Sequence, residues 1–269
     1  MKILSCYKNR IKIFFCLFIY ILFLVCPISL SALDKSHLIF NEAVTHSRAG
    51  HFGDAIVLWD EFLESYPDDP IALSNRGNVL LALGDPNGAI ADQNRAIMLL
   101  PDEPDPHLNR GIAEEALHLW DKAEADYYWV IKRYPNNYSA LYNLANVKGA
   151  KGEWNEAEIL FQKASLNKAD FAIARSSHAL VMYELGKFDE AEKELRKVIR
   201  KYPMLADSRA ALSALLWREG NAGEAESHWA AASGIDSRYK QNDWLLNIRR
   251  WPPIPRKDLA AFLELDRHA

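Results

Sequence analysis

The chain carries the sequence SNRGNVLLALG at residues 74–84 and, thirty-four residues later, LNRGIAEEALH at residues 108–118. The same interval separates a series of alanines along most of the chain. A period of this length is typical of repeat proteins, in which each repeat is one small structural unit. The alanines that mark the period are Ala55, Ala89, Ala123, Ala157, Ala191 and Ala225.

Each period has the pattern of two short helices. Apolar residues recur three and four positions apart, as at Leu195, Val198 and Ile199, which predicts one buried face per helix. A glycine five residues before most of the marker alanines can take the left-handed conformation that ends a helix. Asp85 followed by Pro86 is typical of the start of the next helix. Since one helix pair cannot bury its apolar face alone, we expect neighbouring pairs to stack.

This pattern resembles the tetratricopeptide repeat (TPR) family. The resemblance implies an all-α fold, a right-handed TPR superhelix (α-solenoid) of six helix-turn-helix repeats. The units follow one another without an insertion at about residues 36–69, 70–103, 104–137, 138–171, 172–205 and 206–238. Residues 239–269 are then expected to add a capping helix and a proline-containing tail.

The C-terminal sequence departs from the period. YKQNDWLLNIRR, at 239–250, predicts one amphipathic helix that covers the exposed end of the sixth unit. The prolines at 252, 253 and 255 favour an extended path, and RKDLAAFLEL, at 256–265, predicts a short second helix. Two interpretations stay open: the tail folds back onto the solenoid, or it is a docking motif or a ligand for the chain's own groove.

Residues 1–33 differ from the rest of the chain. Four basic residues between Lys2 and Lys12 precede the uncharged run IFFCLFIYILFLV at 13–25. This order is typical of a cleaved secretory signal. The apolar run is also close to the ~20 residues that span a bilayer, so an uncleaved membrane anchor stays open. Either alternative predicts an exported protein, in the periplasm, in a thylakoid lumen or anchored on the outer side of a membrane.

The composition of the chain and the motifs that its sequence lacks argue against several classes of function. All three cysteines lie in residues 1–33, so the remainder has no disulfide or thiol chemistry. Without the four basic residues of that segment, 28 Lys and Arg face 36 Asp and Glu, and a net charge of −8 argues against nucleic acid. The sequence has no phosphate-binding glycine loop, HExxH or GxSxG, and its histidines lack ligand spacing. We therefore predict no enzyme activity, cofactor, metal or small-molecule substrate.

Polar residues recur together at two helix positions. In the second and third units an arginine stands where the resemblance implies a buried leucine, and an aspartate follows sixteen residues later. In the fourth unit both positions hold leucine, Leu144 and Leu160. A buried charge needs a partner, so these side chains are predicted to pair across the two helices. The predicted structural pairs are Arg76–Asp92, Arg110–Asp126 and, more weakly, His178–Glu194.

The resemblance also implies that the first helices of the repeats line a concave groove. Asparagines recur there, like the asparagine ladder of some sugar-transferase repeat domains, and a carboxamide can both donate and accept hydrogen bonds along a peptide backbone. The alternative is that these amides bond within or between repeats. The groove lacks the basic residues with which one subset of the family binds acidic chaperone C termini, so we argue against that ligand. The predicted partner-binding groove comprises Asn75, Asn78, Leu81, Asn109, Glu115, Tyr142, Asn143, Asn146, Tyr183 and Trp217.

The predicted function is a non-catalytic scaffold outside the cytoplasm that binds an extended peptide or a helix of another protein. One version is an assembly factor for a membrane complex, and the WPPIP sequence at 251–255 looks like repeat proteins of photosynthetic membranes. The N-terminal segment would contact the membrane if it is not cleaved. The alternative is an envelope structural protein that self-associates through its convex face and C-terminal tail.

Overall fold

The computed structural model describes residues 30–265, with side chains from Lys35 to Glu264. The predicted signal or anchor segment falls mainly on residues 1–29, which lie outside this range. Residues 30–33, assigned to that segment from the sequence, form the start of the first helix. Every regular element in the described range is helical.

Fourteen α-helices and one 3₁₀ turn follow one another along the described range. The helices are α1 Leu30–Ala49, α2 Phe52–Ser65, α3 Pro70–Ala82, α4 Pro86–Leu99, α5 Pro104–Ala116, α6 Trp120–Arg133, α7 Tyr138–Ala150, α8 Trp154–Asn167, α9 Ala172–Glu184, α10 Phe188–Lys201, α11 Ala206–Arg218, α12 Ala222–Ile235, α13 Asn242–Asn247 and α14 Pro253–Leu265, with the 3₁₀ turn at Ser237–Lys240. Helices α1 to α12 form six consecutive pairs, and these pairs stack in chain order into a right-handed superhelix.

Local sequence sets the turn within each pair. Glycine with positive φ follows the first helix of five pairs, as at Gly84 with φ 88°. In the third pair His118 holds this left-handed conformation with φ 57°. Asp85 then caps α4 by accepting a hydrogen bond of 2.9 Å from the Gly88 N–H, and Pro86 occupies the first turn of that helix. The turn between α3 and α4 is therefore formed by Gly84, whose left-handed conformation ends α3, and by Asp85 and Pro86, which favour the start of α4.

Small residues bring the two helices of each pair into contact. Gly111 of α5 lies against the ring of Tyr127 of α6, where an added Cβ would be 2.6 Å from a ring carbon. The six marker alanines are all buried. Larger side chains one turn later fill the space between neighbouring pairs, and these buried residues are Trp59, Tyr127, Phe161, Leu195 and Trp229.

The C-terminal tail, residues 239–265, follows a different path from the one predicted. The predicted single helix over 239–250 is divided into the 3₁₀ turn and α13, which ends at Asn247. The predicted extended segment is also wrong from Pro253 onward, because Pro253 and Pro255 lie in the first turn of α14. Prolines are tolerated there, since the first N–H groups of a helix have no intrahelical partner.

Helix α14 packs against α9 and α11, the first helices of the fifth and sixth pairs. It therefore lies on the inner face of the superhelix, which the first helices form, and does not extend the stack beyond α12. Its Leu259 and Phe262 belong to the same buried cluster as Leu215 and Trp229. Among the described helices, none combines the length and the apolar character that crossing a bilayer requires.

Candidate functional site

The inner face divides into an open part and a covered part. The open part is formed by α3 and α5, where Asn78 is exposed and Asn75, Leu81 and Asn109 are half-buried. We call this surface the open groove. Four of the ten predicted groove residues therefore line a surface that the rest of the described chain leaves accessible.

Some amides at or near the inner face are hydrogen-bonded within one repeat or between two repeats. Asn109 Nδ2 donates to Ser74 Oγ at 3.2 Å. Gln93 of α4 is buried and its Nε2 donates to the Ser74 carbonyl at 2.9 Å and to Asn78 Oδ1 at 3.4 Å. Among the described residues, the amides of Asn75, Asn143 and Asn146 take part in no hydrogen bond. The row therefore contains both bonded amides, as the alternative interpretation expects, and amides that remain for a ligand.

The C-terminal tail covers the inner face of the fifth and sixth pairs. The Tyr183 hydroxyl donates to Asp258 at 2.8 Å, and Arg218 donates to the same carboxylate at 2.9 Å. The rings of Trp217 and Phe262 lie 5.6 Å apart. The prediction of an open surface at Tyr183 and Trp217 is therefore wrong, because α14 occupies it.

Asp207 of α11 anchors the tail. Its carboxylate is buried and accepts hydrogen bonds from the Tyr239 hydroxyl at 2.9 Å, Arg249 Nε at 2.9 Å and Trp251 Nε1 at 3.0 Å. Ser176 of α9 donates to its second oxygen at 2.6 Å. Burial opposes ionisation, but Arg249 and these donors hold the pKa of Asp207 below its usual range. Three tail residues are thus bonded to one buried charge.

Glu115 of α5 is also buried, so the prediction that it lines an open groove is wrong. Arg250 of the tail pairs with one of its oxygens and the Tyr127 hydroxyl donates to the other. Burial raises the pKa of Glu115, although Arg250 and Tyr127 act in the opposite direction. This pair joins the tail to the third repeat, whereas α14 contacts helices of the fifth and sixth repeats.

Two further predicted groove residues lie beside the tail. Tyr142 is half-buried, and its ring packs 5.4 Å from Phe161 and 5.1 Å from Phe171. Asn146 lines a narrow space beneath Arg249 and Arg250. These two residues form the edge of the covered part, and they do not belong to the open groove.

A pocket of about 620 Å³ lies between the tail and the turns that join the two helices of the third and of the fourth repeat. We call it the tail pocket. Its apolar walls include Trp120, Trp154 and Trp251, and its polar residues include Glu115, Arg250 and Arg256. Gly149 leaves room for Trp154, since a Cβ at 149 would be 2.8 Å from the Trp154 ring. The sequence pattern did not identify this pocket, because the tail forms one of its walls.

The three pairs predicted across helices differ in the hydrogen bonds that their side chains make. Arg76 bonds to Asp92 with both Nε and Nη2 at 2.8 Å and also reaches Asp60 of α2 at 2.9 Å. Arg110 bonds to Asp126 at 2.7 and 2.6 Å.

His178 makes no hydrogen bond to Glu194 in the described range. Burial lowers its pKa, and Glu194 accepts from Lys197 at 3.0 Å instead.

Three possible metal ligands meet at the turn of the first pair, although the histidines lack ligand spacing in sequence. The donor atoms of His46, His51 and Asp54 lie within 4.8 Å of one another. His51 and Asp54 are exposed, and a structural zinc site has four protein ligands. We therefore assign no ion to this cluster.

Comparison with known proteins gives consistent results. Residues 40–104, 108–170 and 177–238 match the family model described as tetratricopeptide repeat. DnaJ homolog subfamily C member 3 of Mus musculus is 28% identical over 189 residues, which cover 70% of this chain and 34% of that protein. The tetratricopeptide repeat and J domain-containing co-chaperone DNJ1 of Fusarium oxysporum is 24% identical over 173 residues, 61% of this chain and 33% of that protein. The chain spans about a third of the length of these relatives.

Solved structures share the fold at low sequence identity. PilW, described as a type IV pilus biogenesis factor, has a TM-score of 0.65 at 18% identity and covers 84% of this chain and 99% of its own. YrrB, described as a TPR protein with an unusual peptide-binding site, has a TM-score of 0.52 at 19% identity and covers 71% of this chain and 96% of its own. At these identities the likeness concerns the fold alone.

Proposed function

Because the chain belongs to the tetratricopeptide repeat family, we propose that it is a non-catalytic scaffold that binds a segment of a partner protein on its inner face. Proteins with this fold typically mediate protein–protein interaction and peptide binding. The observation that carries the proposal is the open groove, where Asn75, Asn78 and Asn109 remain accessible beside Leu81. Amides of this kind can bond to an extended backbone whatever its sequence.

The tail limits where a partner segment can lie. With α14 against α9 and α11 and with Arg250 on Glu115, the partner is left with the open groove on α3 and α5. A solenoid whose groove is filled at one end gives a bound segment a fixed end point. The peptide-binding site in the description of YrrB supports a peptide as the partner, and the co-chaperone relatives support a protein client.

We extend the proposal to location and pathway. The basic and apolar residues of 1–33 support an exported protein, secreted or anchored by this segment. An assembly factor for a membrane complex fits such a location. Isolating the protein from fractionated cells and sequencing its N terminus tests both the compartment and the cleavage of the segment.

Groove binding is tested with a triple variant. Asn75, Asn78 and Asn109 changed to Ala should abolish recovery of specific cross-linked partners, because the amides that reach the partner backbone are removed. The matched control changes three exposed asparagines outside the groove, Asn87, Asn136 and Asn155, to Ala. Equal partner recovery by both folded variants would contradict groove binding.

The alternative is a structural protein that self-associates. The apolar side chains Leu259 and Phe262 of the tail are buried within the same chain, so they are not available to a second copy. We therefore expect a monomer by size-exclusion chromatography with light scattering. A concentration-dependent oligomer would favour the structural alternative instead.

A further inference from the structure

The tail pocket is suited to a ligand group by its size and its walls. Its volume of about 620 Å³ falls in the ~300–1,000 Å³ range of ligand sites. Trp120 and Trp154 begin two second helices, Trp251 comes from the tail, and all three residues line the pocket. Aromatic rings packed at offset or edge-on angles stabilise one another, so the walls favour an aromatic guest over an aliphatic one.

The backbone of the pocket is strained at two points. His118 and Arg250 are the two non-glycine residues with positive φ in the described range, at 57° and 54°, and both line this pocket. Glycine occupies the position of His118 in the other five repeats. A side chain in this conformation costs about 1–2 kcal/mol, and such strain is concentrated at ligand sites. His118 and Arg250 thus line the pocket even though their backbone conformation is energetically unfavourable.

The charged side chains of the pocket differ in whether all of their polar atoms have hydrogen-bond partners. The buried Glu115 is satisfied by Arg250 and the Tyr127 hydroxyl. Arg256 donates from Nε to the Trp251 carbonyl and from Nη1 to Asn242, each at 3.2 Å. Its Nη2 makes no hydrogen bond to the described residues. The Nη2 group of Arg256 is therefore left for an anion, although Glu184 is near enough to interact with the same charge, and a charge-assisted hydrogen bond to a carboxylate is the contact it favours.

We propose that the tail pocket accepts an aromatic side chain that lies beside a carboxylate on the partner segment. This inference rests on the proposed function, because helix α5 carries both Asn109 of the open groove and Glu115 of the pocket. The aromatic ring packs among the three tryptophans, and the carboxylate meets Arg256. The partner segment then runs along the open groove and ends with this residue in the pocket.

The first test uses 3-phenylpropionate as a probe of the pocket, in ligand-observed NMR with the purified full chain. A probe of this size is expected to bind with a dissociation constant on the order of 1 mM. The neutral amide of the same acid should bind roughly threefold or more weakly, because it lacks the charge that Arg256 meets. Acetate, which has no ring, should not bind.

Two substitutions locate the probe. Ala150→Trp fills the pocket from the exposed end of α7, so it should abolish binding of 3-phenylpropionate. Ala82→Trp is the matched control, because Ala82 is the equivalent exposed residue of the second repeat and does not line the pocket. Arg256→Gln should leave the ring bound and should remove the difference between acid and amide.

Unchanged binding in Ala150→Trp, or an equal loss in Ala82→Trp, would overturn the pocket assignment. An acid and an amide of equal affinity in the unsubstituted protein would overturn the role of the carboxylate. These outcomes are separate from the groove test. If the asparagine triple variant loses its partner while Ala150→Trp retains it, the proposed function stands and the pocket inference fails.

Discussion

Glu114 and Glu115 are neighbours on α5 and have different surroundings. The Glu115 carboxylate is paired with Arg250, whereas Oε2 of Glu114 is buried and has no hydrogen-bond partner in the described range. Burial and the adjacent Asp126 raise the pKa of Glu114 to about 7. Since the raised pKa belongs to an acid, the folded state favours its protonated form. Glu114 therefore contributes stability below about pH 4.5 that is lost as the pH rises towards 7.

The variant Glu114→Gln tests the direction of this change in stability with pH. It should raise the free energy of unfolding by about 1 kcal/mol at pH 8, a value reduced for solvent screening, and should give no gain at pH 4. Denaturant unfolding at both pH values measures the difference. The control Glu226→Gln, at an exposed position of α12, should show no such pH dependence. A gain of equal size at both pH values would show that packing, and not charge, is responsible.

Single residues also show what the sequence could predict. The arginine–aspartate pattern at a fixed spacing indicated that Arg76 and Arg110 have partners on the next helix, and both face aspartates there. The spacing gave no sign of Asp60 from the preceding repeat, which also bonds to Arg76. His118 was visible as the residue that replaces glycine in the period. Its link to a pocket was not visible, since that depends on the path of the tail.

At the scale of elements, the repeats were predictable and the tail was not. The 34-residue period predicted six helix pairs because each pair depends on contacts close in sequence. The path of the tail depends instead on Asp207 with Trp251, 44 residues apart, and on Glu115 with Arg250, 135 residues apart. Periodicity contains no information on such pairs. The same reason explains why Tyr183, Trp217 and Glu115 were predicted on an open surface.

Asp207 decides whether the tail stays on the inner face. Asp207→Asn keeps the shape of the side chain but leaves Arg249 without its buried counter-charge, which should cost about 3 kcal/mol or more. Thermal unfolding measures the loss, and trypsin should cleave the variant after Arg249 or Arg250 under native conditions. The control Asp243→Asn, on the exposed side of α13, should change neither. Full protection of the tail in Asp207→Asn would contradict the anchoring role.

At the scale of the whole molecule, the tail makes the two ends of the superhelix unequal. The largest buried cluster joins α9 to α12 with the tail, through residues such as Leu215, Tyr239 and Leu259. The N-terminal cluster comprises α1 to α4 and contains no tail residue. In a repeat protein each unit contacts only its neighbours, so stability is a sum of local terms. We therefore expect the C-terminal half to open less readily than the half with the open groove.

Leu259→Ala tests this difference between the two halves. It removes a fully buried side chain of α14, and large-to-small changes of this kind cost about 2.7–5 kcal/mol. Hydrogen exchange measured by mass spectrometry should show faster exchange in α9 to α12 and unchanged exchange in α1 to α4. The matched change Leu73→Ala, at a buried position of the N-terminal cluster, should produce the opposite distribution. If either variant speeds exchange equally in all helices, the molecule unfolds as one unit, and a partner bound in the open groove would then stabilise the tail as strongly as its own repeats.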